Sequence, residues 1–300
     1  MSLEGLDDLF SQLGLNGPQQ APPSSAKAFP TGEAWRIEIP SVEGPQALQT
    51  VIDASNELGV PVRRISQGSG IMLQSDDEIA EMVELGRAHD IEICLFVGPR
   101  AAWDTGVQSA SPGGAAMGAT LRGDEQLRHA VADVRRGCEL GLRSILIADI
   151  GLLWILGRMR TAGDLPADLR FKVSVSLPAG NPATARLLED LGADTVNVPV
   201  DLSVSQLAAL RRAIDIPIDL YIEGPDDLGA PVRHHEVPEI VRVAAPVHLK
   251  FAVRNAAPLY PAGEHLRAHA LATARERVRR ASLALGLLRR ANTAVAGPAV

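Results

Sequence analysis

Between residues 35 and 290 short apolar runs alternate with longer stretches in which apolar residues recur every three or four positions. The short runs read as β-strands and the longer stretches as amphipathic helices. Strands are expected at 35–40, 62–67, 91–97, 144–148, 171–177, 195–198, 217–223 and 247–253. Helices are expected at 45–58, 75–89, 124–140, 150–161, 182–191, 203–213, 238–244 and 265–290. Several strands are polar on one face only. In the seventh, Ile218, Leu220 and Ile222 alternate with Asp219, Tyr221 and Glu223. In the eighth, Val247, Leu249, Phe251 and Val253 alternate with His248, Lys250, Ala252 and Arg254. Successive side chains point to opposite faces of a strand, so each has an apolar face for helices and a polar face for something else. Eight such units with short connections predict an α/β fold, a closed (β/α)8 barrel of the TIM type, with the polar faces lining its lumen. The rival is an open doubly wound sheet, but residues 39–44 (IPSVEG) lack the glycine fingerprint that a dinucleotide-binding turn would carry.

The ends differ from the middle. Leu3, Leu6, Phe10, Leu13 and Leu15 have helical spacing in an acidic stretch. Residues 16–32 are rich in Pro, Gly, Gln and Ser, the composition of a flexible linker. The expected organisation is a flexible N-terminal tail at 1–32, a barrel at 33–290 and a C-terminal tail at 291–300. The short helix at 3–15 either docks on the barrel or serves as a peptide for a protein partner. A stretch so rich in Pro, Gly and Ser packs little, so removal of residues 1–30 is expected to leave the melting temperature nearly unchanged.

Composition narrows the setting. A net charge of −7 argues against general affinity for nucleic acid or for an anionic membrane. No apolar stretch reaches the roughly 20 residues of a membrane span, and the start of the chain has no basic, apolar leader. A cytoplasmic protein is expected, with a homo-oligomer left open. Cys94 falls mid-strand and Cys138 mid-helix, and both read as small buried thiols.

Active sites of such barrels sit at the C-terminal ends of the strands. The inward polar residues there are Glu38 on the first strand, Ser66 or Gln67 on the second, Ser174 and Ser176 on the fifth, Asn197 on the sixth, Tyr221 and Glu223 on the seventh, and Lys250 and Arg254 on the eighth. Arg100, Trp103 and Asp104 follow the third strand, and Asp149 ends the fourth. Glu223, Lys250, Arg254 and Glu38 are the catalytic candidates, since carboxylates and cations crowded into one mouth push each other's pKa values apart. Arg100, Trp103, Asp149, Ser176, Asn197 and Tyr221 are the candidates for substrate binding. Asp149 can equally cap the helix after it. Lys172, Asp219 and His248 lie deeper and suit a satisfied ionic layer. Residues 98–123 form a long loop rich in Gly, Ala and Ser, fit for a lid. A divalent ion on Glu38, Asp149 and Glu223 is conceivable, but neither a metal nor another cofactor is part of the expected site. His234 and His235 are adjacent and poorly placed to share one.

From about residue 172 to 270 the chain resembles the collagenase-like peptidases, peptidase family U32. The resemblance rests on the stretch 176–193 with Asn181, Thr184, Leu187, Leu188, Leu191 and Gly192, on the helix start at 202–210, and on Lys250, Arg254, Asn255 and Tyr260 around the eighth strand. It implies a barrel, and it carries over Lys250 and Arg254 from the family's Lys-Ile-Glu-Gly-Arg segment. The family's His-Gly-Cys is replaced by Glu223 and Gly224 followed by Pro225, and its iron–sulfur cysteines are missing. The first half shows no such resemblance.

Three functions fit. The first is an enzyme acting on a small anionic or carbonyl-bearing substrate by acid–base chemistry, with Glu223 as the acid–base group and Lys250 and Arg254 holding a carboxylate or oxyanion. The second is a non-catalytic barrel that binds a ligand or a protein partner. The third is a peptidase-like hydrolase, although no Ser-His-Asp, Cys-His or metal motif supports it.

Overall fold

The computed structural model describes residues 21–104, 106–177, 179–229, 231–291 and 297–298. Eight parallel strands close into a barrel in chain order: β1 Trp35–Pro40, β2 Val62–Gln67, β3 Glu92–Phe96, β4 Ser144–Ile147, β5 Arg170–Val173, β6 Thr195–Asn197, β7 Ile218–Glu223 and β8 Val247–Phe251. Helices alternate with them: α1 Pro45–Leu58, α2 Asp76–Ala88, α3 Gly123–Glu139, α4 Ile150–Ala162, α5 Pro182–Asp190, α6 Val204–Ala213, α7 Val237–Ala244 and α8 Arg267–Arg290. The TIM-type barrel expected from the alternation is the fold observed.

Local chemistry starts the helices where the pattern places them. Ser75 and Glu78 close a capping box at α2, whose first turn also carries Asp76 and Asp77. Ser203 and Gln206 do the same for α6, and Asn181 caps α5 ahead of Pro182. The outward strand residues, among them Ile37, Ile39, Ile65, Leu220 and Leu249, are fully buried against the helix ring. Each such side chain contributes about 1.5–3 kcal/mol, which offsets the cost of a lumen filled with charge.

The linker expected at 16–32 is not free where it is described. Ser25 N donates to Arg242 O at 2.8 Å, Ser25 Oγ to Ala245 O at 2.5 Å, and Lys27 Nζ to Ile214 O at 2.6 Å. Arg242 returns a bond to Pro22 O at 2.6 Å. Phe29 is buried, with its ring edge-on to His248 (centroids 4.9 Å apart) and under the Arg36 guanidinium at 4.2 Å. This segment therefore closes the N-terminal end of the barrel. The helix expected at 3–15, and with it the partner surface assigned to those residues, lies outside the described residues.

Candidate active site

The lumen has two levels. At the lower one, Arg64 on β2 lies between three carboxylates: Glu38 at 3.3 Å, Asp219 at 3.1 Å and Glu92 at 3.0 Å. Lys172 on β5 is hydrogen-bonded to Glu38 and stands 3.5 Å from Asp219. Asp219 also accepts from Thr195 Oγ1, and His248 Nδ1 lies 2.8 Å from its Oδ1. Ser66 Oγ donates to Glu38 Oε1 at 2.8 Å, and Ser144 Oγ to Glu92 at 2.7 Å.

These neighbours set the protonation states. Burial alone would raise the Glu38 carboxyl, yet the charges of Lys172, Lys250 and Arg64 outweigh it and hold its pKa far below the ordinary range. Asp219 is depressed in the same way by Lys172, Arg64 and His248 against the pull of burial. Glu92 falls to about 2, because Arg64 and Arg170 overcome its burial. Burial and Arg64 lower His248, which favours the neutral ring. Burial lifts the Cys94 thiol to about 11, so it is not a ready nucleophile.

Above this layer the C-terminal mouth encloses a cavity of about 230 Å³. Its polar lining includes Ser66, Ser174, Ser176, Asn197, Tyr221 and Lys250, with Arg100, Tyr260 and Asp227 also among its lining residues. Phe96, Leu146, Val175 and Leu228 supply apolar wall. Lys250 comes from the end of β8. Its ammonium donates to Asn197 Oδ1, stands 3.5 Å from Glu38 Oε1 and sits over the Tyr221 ring at 4.2 Å. Asn197 is itself fixed by its Nδ2 bond to Val173 O at 2.6 Å. Burial pushes the Tyr221 phenol well above its ordinary range, so it stays a neutral donor.

Of the expected catalytic residues, the mouth brings together Lys250 and Glu38, but not Glu223 or Arg254. The ladder between β7 and β8 shifts register between Tyr221 and Glu223, pairing Glu223 with the outward Phe251. This β-bulge turns Glu223 away from the lumen. Its carboxylate meets His234 Nε2 at 3.2 Å and Arg280 of α8 at 3.5 Å. Strand β8 stops at Phe251, so Arg254 falls in the turn beyond it and is exposed.

Among the expected binding residues, Arg100, Ser176, Asn197 and Tyr221 line the cavity, and Asp149 and Trp103 do not. Asp149 spends one oxygen capping α4 through Leu152 N at 2.9 Å and the other on Leu121 N of the long loop at 3.1 Å. Trp103 instead packs against Arg100, its ring centre 3.8 Å from Cζ of the guanidinium. The long loop is bonded to itself, with Ala101 N to Thr120 O at 3.0 Å and Ala102 N to Gly118 O at 2.9 Å. Glu38, Asp149 and Glu223 point in three directions and form no common site for a divalent ion. Cys94 in the lumen and Cys138 on α3 are the chain's two cysteines, and they lie on different elements. Among the described residues no helix is long and apolar enough to cross a membrane.

Sequence reading passed over Arg64, because adjacent Arg63 and Arg64 hide which of the two faces inward. The bond of Ser66 Oγ to Glu38 sets the second strand's phase with Ser66 inward, although Gln67 is also among the lining residues of the cavity. Tyr260, a lining residue from the loop after β8, had no periodic signal to mark it.

Comparison with known proteins agrees with the fold. The U32 peptidase Mk0906 is 14% identical, covering 69% of this chain and 73% of its own, with a TM-score of 0.40. A candidate fructose-1,6-biphosphate aldolase from Coccidioides immitis is 13% identical, covering 87% of this chain and 92% of its own, with a TM-score of 0.52. At 13% identity the likeness to the aldolase is one of fold alone. A search of curated proteins returns no match. The sequence model of peptidase family U32 matches residues 116–225. That stretch begins in the first half, where no resemblance was expected, and ends before Lys250, whose carry-over from the family it leaves without support. The resemblance to peptidase family U32 is thus real over 116–225, through β4, β5, β6 and β7, and it lies within a complete (β/α)8 barrel.

Proposed function

We propose that the C-terminal mouth is the active site of an enzyme acting on a small anionic or carbonyl-bearing molecule, with Lys250 meeting its negative charge. The observation that carries this reading is the position of Lys250. It is buried, yet it lines the cavity, and its nearest carboxylate is already engaged by Lys172, Ser66 and Arg64. A buried cation whose counter-charge is shared so widely favours an anion delivered from outside. Asn197, Tyr221, Ser66 and Ser174 stand around it as groups able to orient a carbonyl or carboxylate oxygen.

The acid–base assignment changes accordingly. Glu223 is out of reach, and Glu38 is kept ionised by three cations, so it acts as a counter-ion and not as a proton donor. Lys250 and neutral Tyr221 remain to stabilise charge that develops on a substrate oxygen. Peptidase chemistry of the Ser-His or Cys-His kind finds no support, as the cavity-lining residues include neither His nor Cys.

Calorimetric titration with pyruvate, 2-oxoglutarate and succinate tests the reading. At least one should bind wild type, and Lys250→Met should lose that binding while remaining folded. Undiminished binding in the folded variant would refute the site.

A further inference from the structure

Arg100 is the second cation of the mouth, and its surroundings differ from those of every charge below it. It is 8% exposed and lines the same cavity as Lys250. Phe96 and Trp103 flank its guanidinium, each ring centre 3.8 Å from Cζ. Nη2 donates to Gly68 O at 2.7 Å and reaches Ser69 O at 3.4 Å. Nε has no partner among the described residues, and no carboxylate there lies within ion-pairing distance.

Burial drags Arg100 down to about 10, with only a partial return from Tyr260 and Glu43. Glu43 is a weak counter-charge. Burial raises its own carboxyl, and its oxygens are taken by Gly68 N at 2.8 Å and Ser69 N at 3.2 Å. Arg211 and Arg277 are likewise buried without a close carboxylate and likewise bonded to main-chain oxygens, Ile214 and Pro246 for one and Ser41 for the other, but neither lines the mouth. Arg100 alone of the three combines burial, missing counter-charge and access to the cavity. A guanidinium packed against two rings loses rotational freedom, so its fork is pre-set for a planar acid group.

We propose that Arg100 binds a second anionic group, so that the ligand class of this site is a small dicarboxylate, with one acid group at Arg100 and the other end at Lys250. This rests on the reading of the mouth given above and extends it. The cavity that the two cations share also has apolar lining at Phe96, Leu146 and Val175, which suits a short carbon skeleton joining two charged ends.

The test is calorimetric titration with matched pairs: succinate against butyrate, and 2-oxoglutarate against 2-oxobutyrate. Wild type should bind the dicarboxylate of each pair at least tenfold more tightly. Arg100→Met should abolish that preference, chiefly by weakening the dicarboxylate, whereas Lys250→Met should weaken both members of each pair. Arg100→Lys, which keeps the charge but loses the planar fork, should retain part of the preference. If wild type binds both members of a pair equally and Lys250→Met silences both, the second anion site is wrong and the mouth stands. If no probe binds wild type, both readings fall. The wild-type ratio decides even where a variant does not fold.

Discussion

The two levels of the lumen hold the same kinds of residue under opposite conditions. At the lower level Arg64, Lys172, Glu38, Glu92 and Asp219 form a closed set, in which each cation contacts at least two carboxylates. In the mouth, Lys250 has one long contact to a carboxylate that others already use, and Arg100 has none. Buried charge by itself therefore does not mark a site. What separates the two levels is whether the counter-charges are all supplied from within and whether a cavity reaches the group.

Removing a member of the lower set should have the largest effect. Lys172→Met leaves Glu38 and Asp219 short of a cation, and breaking a buried pair costs about 3–5 kcal/mol. Urea unfolding should show a loss of that order, and a loss below about 1 kcal/mol would mean that the layer is not coupled as described.

Acid should dissolve the same layer. The folded pKa of Glu92 is about 2 against an ordinary 4.5. Because the folded value is the lower one, ionised Glu92 stabilises the protein fully above pH about 4.5 and loses that contribution as pH falls towards 2. The difference corresponds to about 3 kcal/mol as an upper figure. Glu92→Gln should be less stable than wild type at pH 7, with the gap narrowing steadily below pH about 4.5. A gap that does not change with pH would contradict the ionised assignment.

The docked N-terminal segment comes next. Burial of Phe29 contributes about 1.5–3 kcal/mol, and the bonds of Ser25 and Lys27 add about 1 kcal/mol each at most. Deleting residues 1–30 should lower the melting temperature by several degrees, measured by calorimetry. An unchanged value would restore the free-linker reading.

How far the sequence reveals this comparison depends on strand parity. Ile218, Leu220 and Ile222, like Leu249 and Phe251, announce an outward face, and the rule of two then places Asp219, Tyr221 and Lys250 inward. The rule fails where the ladder is irregular. One extra residue between Tyr221 and Glu223 turns Glu223 out, and the early end of β8 strands Arg254 in a turn. Neither event has a glycine or proline inside the strand to mark it. Docking of residues 22–29 was equally hidden, since the partners are main-chain oxygens and an arginine more than 180 positions away in sequence. Deciding which charges are paired needs the third dimension, as Lys172 and Lys250 look alike along the chain.

Substitution in the mouth should affect stability least and binding most. The direct measurement is the melting temperature of wild type, Lys172→Met and Lys250→Met, each with and without saturating 2-oxoglutarate or succinate. The account predicts a large drop for Lys172→Met without ligand and a drop of no more than a few degrees for Lys250→Met. It also predicts a ligand-induced rise in wild type that is absent from Lys250→Met. A Lys250→Met protein that still rises with ligand as wild type does, or that unfolds as readily as Lys172→Met, would contradict the division of the lumen into a structural floor and a binding mouth.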